Sequence, residues 1–171
     1  MTSIVKAKAE DYSLLAGMGK ITFRESHGSS ASAEDINAYV NEKYNEEVFQ
    51  SELSDPDNIY YIIYHGKQPA GFSKIKFNSP HSNIKSNNVT KLERIYLLKE
   101  FYGMKSGYEL FKFNIELSVK NNQSGMWLFV WKENHRAVSF YKKAGFKVIG
   151  SHDFKISETH SNPNHQMLLM Y

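Results

Sequence analysis

The chain contains no cysteine. That one absence excludes disulfides, thiolate-ligated zinc and any cysteine nucleophile. It also lacks long apolar runs: none approaches ~18 residues, the length of a membrane span. The opening "MTSIVKAKAEDY" has no signal-peptide stretch. A soluble, cytoplasmic protein without a membrane partner is expected. Charge of one sign is scarce as well. The 21 Lys and Arg face 18 Asp and Glu, a formal net charge of +3, and no basic block of five or more occurs. This mild balance argues against a nucleic-acid partner.

Aromatic and apolar residues are plentiful. With 171 residues, 41% hydrophobic, and 11 Tyr and 11 Phe, the chain can fill a sizeable core. No internal repeat and no Pro/Gly/Ser-rich linker divides it, so one domain over 1–171 is expected.

"SIVKAKA" (3–9) alternates as a strand does. "DYSLLAGMGKITFRES" (11–26) spaces Leu14, Leu15, Met18, Ile21 and Phe23 as a helix does, despite two glycines. Ser32 followed by Asp35 resembles a capping box opening a helix through Ile36, Tyr39, Val40 and Tyr44; "EEVFQSEL" reads as another short helix. "IYYIIYH" (59–65) and "AGFSKIKF" (70–77) form a hairpin around "GKQ", and "VTKLERIYL" (89–97) is a further strand. A helix is expected from about Ser106 to Lys120, then a strand over 126–131 and a helix over 134–145 stopped by Gly145. A strand over 146–156 with a bulge at Gly150 follows, and "HQMLLMY" (165–171) is the terminal strand. Strands and helices alternate after an initial hairpin. The fold class is therefore α/β (α+β), a mixed, mostly antiparallel central sheet flanked by helices.

Two glycines, Gly103 and Gly107, bracket Lys105 and Ser106 where a strand gives way to a helix. Such a turn presents backbone N–H groups at the positive end of a helix dipole, a setting for an anion. A nucleotide P-loop does not fit, because Lys99 and Met104 stand where its glycines belong. A G-x-G-x-x-G fingerprint is absent too. A plain helix start after a glycine turn is the structural alternative.

The second informative stretch is "WLFVWKENHRAVSFYKKAGF" (127–146). Ala137, Phe140, Tyr141 and Ala144 share a helix face, which reads as core packing, yet Tyr141 carries a phenol and Asn134 an amide at the helix start. Together with "LERIYLLKEFYGMKSG" (92–107), this stretch resembles the acetyl-CoA-binding core of the GCN5-related N-acetyltransferases (GNAT). The family's Asn-x-x-Ala-x-x-Phe-Tyr-x-x-x-Gly-Phe is matched in full by Asn134, Ala137, Phe140, Tyr141, Gly145 and Phe146. Its turn, Gln/Arg-x-x-Gly-x-Gly/Ala, is matched only at Gly107, with Tyr102 and Lys105 departing from it. The resemblance is strongest over 90–156. "LERIY", "WLFVWKEN" and "GSHDF" are similar to a bacterial PaiA-type spermidine/spermine acetyltransferase subgroup.

The resemblance implies an acyl-CoA N-acyltransferase-like fold, with acceptor-side helices and hairpin at about 1–88 and an acetyl-CoA-binding core at about 89–156. It implies acetyl-CoA as cosubstrate and a small amine, polyamine first and peptide amine second, as acceptor. The coenzyme's pyrophosphate would rest on the N–H groups of Tyr102, Gly103, Met104, Lys105, Ser106 and Gly107. The Lys105 ammonium would offset the missing glycine. Asn134 would lie nearer the pantetheine arm, and the strand around Ile95, Tyr96 and Leu97 would polarise the acetyl oxygen. Family members often form homodimers, so a homodimer is implied as well.

An alkylammonium of pKa ~10.4 costs about 4.6 kcal/mol to deprotonate at pH 7, so the reaction calls for a base. Glu93 resembles the family's base, acting through water; its alternative reading is a strand carboxylate paired with a lysine. Glu25 is a second candidate for holding a cationic amine, and Glu34, Asp35, Glu46 and Glu47 supply further acids. Tyr141 resembles the acid that meets the departing thiolate. Without cysteine, direct attack is the simplest path. The spacing of His152, His160 and His165 fits no common zinc motif, and no metal is expected. Two rival classes stay open: a CoA-binding module without turnover, and a regulatory docking protein using loop 26–32 and the hairpin.

Overall fold

The computed structural model describes all residues, Met1–Tyr171. The elements are β1 (Thr2–Lys6), α1 (Tyr12–His27), α2 (Ala33–Lys43), α3 (Glu46–Ser54), β2 (Ile59–His65) and β3 (Gln68–Lys76), then β4 (Val89–Leu97) and α4 (Ser106–Lys120). They continue with β5 (Gly125–Trp131), α5 (His135–Lys143), β6 (Lys147–Lys155) and β7 (Ser161–Met170). The seven strands form one mixed sheet in the order β1-β2-β3-β4-β5-β7-β6. Antiparallel pairs join β1 to β2, β2 to β3, β5 to β7 and β6 to β7, while β4 and β5 run parallel. No helix is long and apolar enough to cross a membrane. Residues 1–75 with 94–114 make one compact unit, and residues 76–93 with 115–171 make another.

In the first unit, α1 buries Leu15, Ala16, Met18 and Phe23. Phe23 stacks on Tyr39 of α2, with ring centroids 4.7 Å apart. The two glycines of α1 have different reasons to be there. A β-carbon at Gly19 would lie 2.3 Å from Tyr44 Cδ1, whereas one at Gly17 would meet nothing within 4 Å. Ile21, expected on the apolar face, is instead 49% exposed. The helical stripe passes through Met18, Thr22 and Phe23, and Thr22 satisfies its buried hydroxyl on Met18 O at 2.7 Å. Ser32 caps α2 by accepting from Asp35 N, and Asn45 caps α3 through Val48 N. Beneath α4, Asn114 is buried but bonded: Ser73 Oγ donates to its Oδ1, and its Nδ2 donates to Leu110 O.

The second unit packs Ile84, Val89 and Trp127 against Phe129, Ile149 and Leu168. The β6 bulge expected at Gly150 is present, between Val148 and Gly150. It leaves room for the hydrogen bond from Asn83 Nδ2 to Gln166 Oε1, since a β-carbon at Gly150 would lie 2.9 Å and 3.0 Å from those atoms.

The terminal strand begins at Ser161, four residues before the expected start at His165, so Pro163 lies inside it. Proline is tolerated there because the β5 register stops at Trp131 opposite Asn164. Pro163 still accepts Lys132 N–H through its carbonyl, and its own nitrogen faces past the end of β5, where no donor is required.

Candidate active site

The strand β4 leads into a turn that is wound on itself. After a single 3₁₀ turn over Lys99–Phe101, Tyr102 N–H donates to Lys99 O and Met104 N–H to Phe101 O. Two of the six amides expected to face an anion are therefore engaged within the turn. Gly103 has φ 81° and Lys105 has φ 64°. Lys105 thus holds a left-handed backbone at the position where the resemblance has glycine, without glycine's freedom. That conformation launches α4: Glu109 N–H makes the first i→i−4 bond, to Lys105 O. The N–H groups of Ser106, Gly107 and Tyr108 precede it at the positive helix end. Tyr108 is a donor position that the sequence reading missed. Gly107 lies against Leu97, whose Cδ1 would be 3.0 Å from an added β-carbon. The Ser106 hydroxyl is fully buried with no hydrogen-bond partner. A left-handed turn, an orphaned hydroxyl and helix-start amides together fit a phosphate-bearing ligand.

Along β4, Lys91 lies over Trp127 and Phe129, whereas Ile95 and Leu97 pack against the cluster of Ile63, Ala70, Phe101 and Leu110, and Arg94 bonds the Tyr60 hydroxyl. Glu93 meets Lys91, Nζ to Oε1 3.7 Å, with both side chains part-exposed. Leu98 N–H donates to Ala70 O on β3, at 2.9 Å. By alternation, the N–H groups of Leu97 and Ile95 are aimed at the opposite edge of the strand. The parallel register of β4 with β5 ends at Lys91 opposite Trp127. The ring of Tyr96 packs on Phe72, centroids 5.9 Å apart, and its hydroxyl bonds with Tyr44. Burial, then the neighbouring Tyr44, holds that hydroxyl well above the ordinary phenol range.

Asn134 caps α5: its Oδ1 accepts Ala137 N–H at 3.3 Å, and its amide nitrogen is a donor that this cap does not use. Tyr141, on the same helix, is buried between Phe140 and Phe146, each 5.5 Å away between centroids. Burial raises its phenol well above its ordinary value. Gly145 ends the helix with φ 100°.

Other acids fall elsewhere. Glu25 accepts Lys99 N–H at 2.9 Å and pins the start of the turn, and Glu46 accepts from Ser13. Sequence reasoning passed over Glu52. It lies 3.1 Å from Lys74 Nζ and 3.4 Å from Arg94 Nη1, and the Tyr60 hydroxyl donates to it. Arg94 also covers the rings of Tyr44 and Phe49, at 5.2 and 5.8 Å. Burial opposes its charge, but Tyr44, Tyr60, Glu52 and Tyr96 outweigh that and strengthen it. Glu52 and Arg94 are 42 residues apart and lie on different elements, so no local pattern announces the network. No group of three or more His, Asp or Glu side chains is arranged to hold a metal ion.

Residues 22–146 match the model of the acetyltransferase (GNAT) family. The chain is 27% identical over 155 residues to an N-acetyltransferase from the pepI 3′ region of Lactobacillus delbrueckii subsp. lactis, covering 91% of this chain and 90% of that protein. It is 26% identical over 149 residues to spermidine N(1)-acetyltransferase of Thermoplasma acidophilum, covering 85% and 88% respectively. The crystal structure of PaiA N-acetyltransferase from Thermoplasma acidophilum in complex with coenzyme A superposes with a TM-score of 0.79 at 24% identity. That match covers 100% of this chain and 99% of the other, and the mixed sheet flanked by helices is the shared fold.

Proposed function

We propose, from the premise that this chain belongs to the GNAT acetyltransferase family and is an N-acetyltransferase, that its acceptor is a primary alkylamine, a polyamine before a peptide amine. The donor is acetyl-CoA, and the acetyl group moves directly to the amine. The observation that carries the donor half is the turn, where Lys105 keeps a left-handed backbone ahead of the Ser106, Gly107 and Tyr108 amides. These amides, with the Lys105 ammonium and the Ser106 hydroxyl, hold the pyrophosphate. Asn134 donates its amide N–H toward the pantetheine arm. The likeness to a spermidine acetyltransferase supports the acceptor class.

Each remaining residue has one task. Glu93 takes the ammonium's proton through water, meeting the cost of about 4.6 kcal/mol that a free alkylamine carries at pH 7. The N–H groups of Ile95 and Leu97 hold the acetyl oxygen as it gains charge. As the new C–N bond forms and the C–S bond breaks, Tyr141 meets the departing sulfur. Its burial keeps the phenol protonated until then, so it arrives as a hydrogen-bond donor and not as a phenolate.

The test is thiol release from acetyl-CoA across butylamine, spermidine, spermine and lysine-bearing peptides, beside calorimetric titration with CoA. Turnover with linear amines above peptides is expected. Turnover confined to peptides would overturn the acceptor class, and CoA binding without any turnover would overturn the catalytic reading.

A further inference from the structure

One face of the second unit is lined with rings. Trp127 and Phe129, two apart on β5, meet edge to face with centroids 5.3 Å apart. His81, from the loop before β4, lies 5.1 Å from Trp127 and 6.1 Å from Phe129. His152 of β6 stacks on Phe129 at 4.6 Å. Over this surface sits the Lys91 ammonium, 5.1 Å from the Trp127 ring centre, 5.7 Å from that of Phe129 and 3.7 Å from Glu93 Oε1.

Lys91 is itself a linear primary alkylammonium: four methylenes ending in NH₃⁺. Its position demonstrates that the rings and the carboxylate together accept such a group. The ring faces attract the cation electrostatically, their apolar edges suit the methylenes, and Glu93 supplies the counter-charge. A conventional strand lysine turns its ammonium to water; this one lies 24% exposed with its charge over two aromatic rings.

We propose that this aromatic face, built from Trp127, Phe129, His81 and His152 beside Glu93, is the docking site for the ammonium of a linear primary alkylamine, and that Lys91 is its resident competitor. An acceptor enters by displacing the Lys91 ammonium from the rings. Its own ammonium then stands where Glu93 can take the proton. For its chemistry the proposal rests on the N-acetyltransferase reading; for binding it does not.

The test compares the native protein with Lys91→Met and with the double variant Lys91→Met/Phe129→Leu. Trp127 is left intact because it is buried and its Nε1–H donates to Ser79 O at 2.7 Å. Butylamine binding is measured by calorimetry without acetyl-CoA. KM is measured for butylamine and for O-ethylhydroxylamine, which is uncharged at neutral pH. Lys91→Met is expected to tighten butylamine binding and lower its KM about fivefold, the scale of a partly desolvated cation–π contact. The uncharged acceptor should not respond, and Phe129→Leu should reverse the gain. Unchanged or weaker butylamine binding in folded Lys91→Met overturns the proposal, as does an equal change for both acceptors. Should no amine be turned over while butylamine still binds Lys91→Met more tightly, the acceptor reaction fails and the docking site stands.

Discussion

The ring of Tyr44 lies so close to Gly19 that a β-carbon there would sit 2.3 Å from Cδ1. Helix α1 accepts the entropic cost of that glycine because the close approach seats Tyr44 in the aromatic cluster with Phe23 and Tyr39. Gly17, one position pair earlier on the same helix, has only open space beside it. Gly17→Ala is therefore expected to stabilise the fold by about 0.5–1 kcal/mol through helix propensity and unfolded-state entropy. Gly19→Ala is expected to destabilise it by about 1–3 kcal/mol through overpacking. Urea titration of both variants checks the pair, and equal effects would contradict the packing account.

Lys105 sets backbone strain against charge. Its φ of 64° costs a lysine about 1–2 kcal/mol that glycine does not incur, part of which glycine's looser unfolded state returns. Lys105→Gly should raise stability by up to about 1 kcal/mol. The same change removes an ammonium from the proposed pyrophosphate site. CoA should then bind up to about fivefold more weakly at low salt, with a flatter salt dependence. Calorimetry at two ionic strengths, with melting curves alongside, reads both effects. Affinity unchanged at low salt would mean that the backbone amides alone hold the anion.

These residues also mark where a sequence speaks and where it falls silent. Helix α4 starts at Ser106 and ends at Lys120 as its spacing predicts, because glycine punctuation and apolar period both act locally. The bulge at Gly150 was legible for the same reason. A lysine gives no local sign that its backbone is left-handed; only a comparison with the family's glycine hints at it. Pro163 reads as a loop residue until the end of β5 is known. Ile21 fits the helical period yet lies outside the face that α2 and α3 cover. The Glu52–Lys74–Arg94 network and the rings around Lys91 join residues from different elements that only the tertiary fold brings together, so they had no signature to read.

His27 gives the fold a pH dependence. Its ring stacks on Phe23 at 4.8 Å, meets Tyr96 edge-on at 6.3 Å, and shares a 2.6 Å contact between Nδ1 and Ser26 Oγ. Burial lowers its pKa to about 4 from 6.5, so it is neutral in the folded protein at pH 7. Between those two values the unfolded chain binds the extra proton, and stability falls as pH falls. The loss attributable to His27 reaches about 3 kcal/mol by pH 4. Denaturant titrations at pH 7 and pH 4.5 should show a smaller drop in His27→Phe than in the native chain. Parallel pH profiles would assign the acid sensitivity to carboxylates instead.

Tyr141 separates packing from chemistry because its ring and its hydroxyl have different tasks. The ring fills the space between Phe140 and Phe146, and phenylalanine would fill it equally. Only the hydroxyl can meet a departing sulfur. Tyr141→Phe should therefore keep its fold, bind CoA with unchanged affinity and lose about 10²–10⁴-fold in kcat, the range for a lost general acid. An acceptor analogue series adds a second readout: the loss should be similar for every amine, because the acid serves the thiolate common to all. Thioesters with better leaving groups, such as an acetyl thiophenol, should recover part of the rate in Tyr141→Phe but little in Glu93→Gln. A full-speed Tyr141→Phe enzyme would return this residue to the core and leave the thiolate to water.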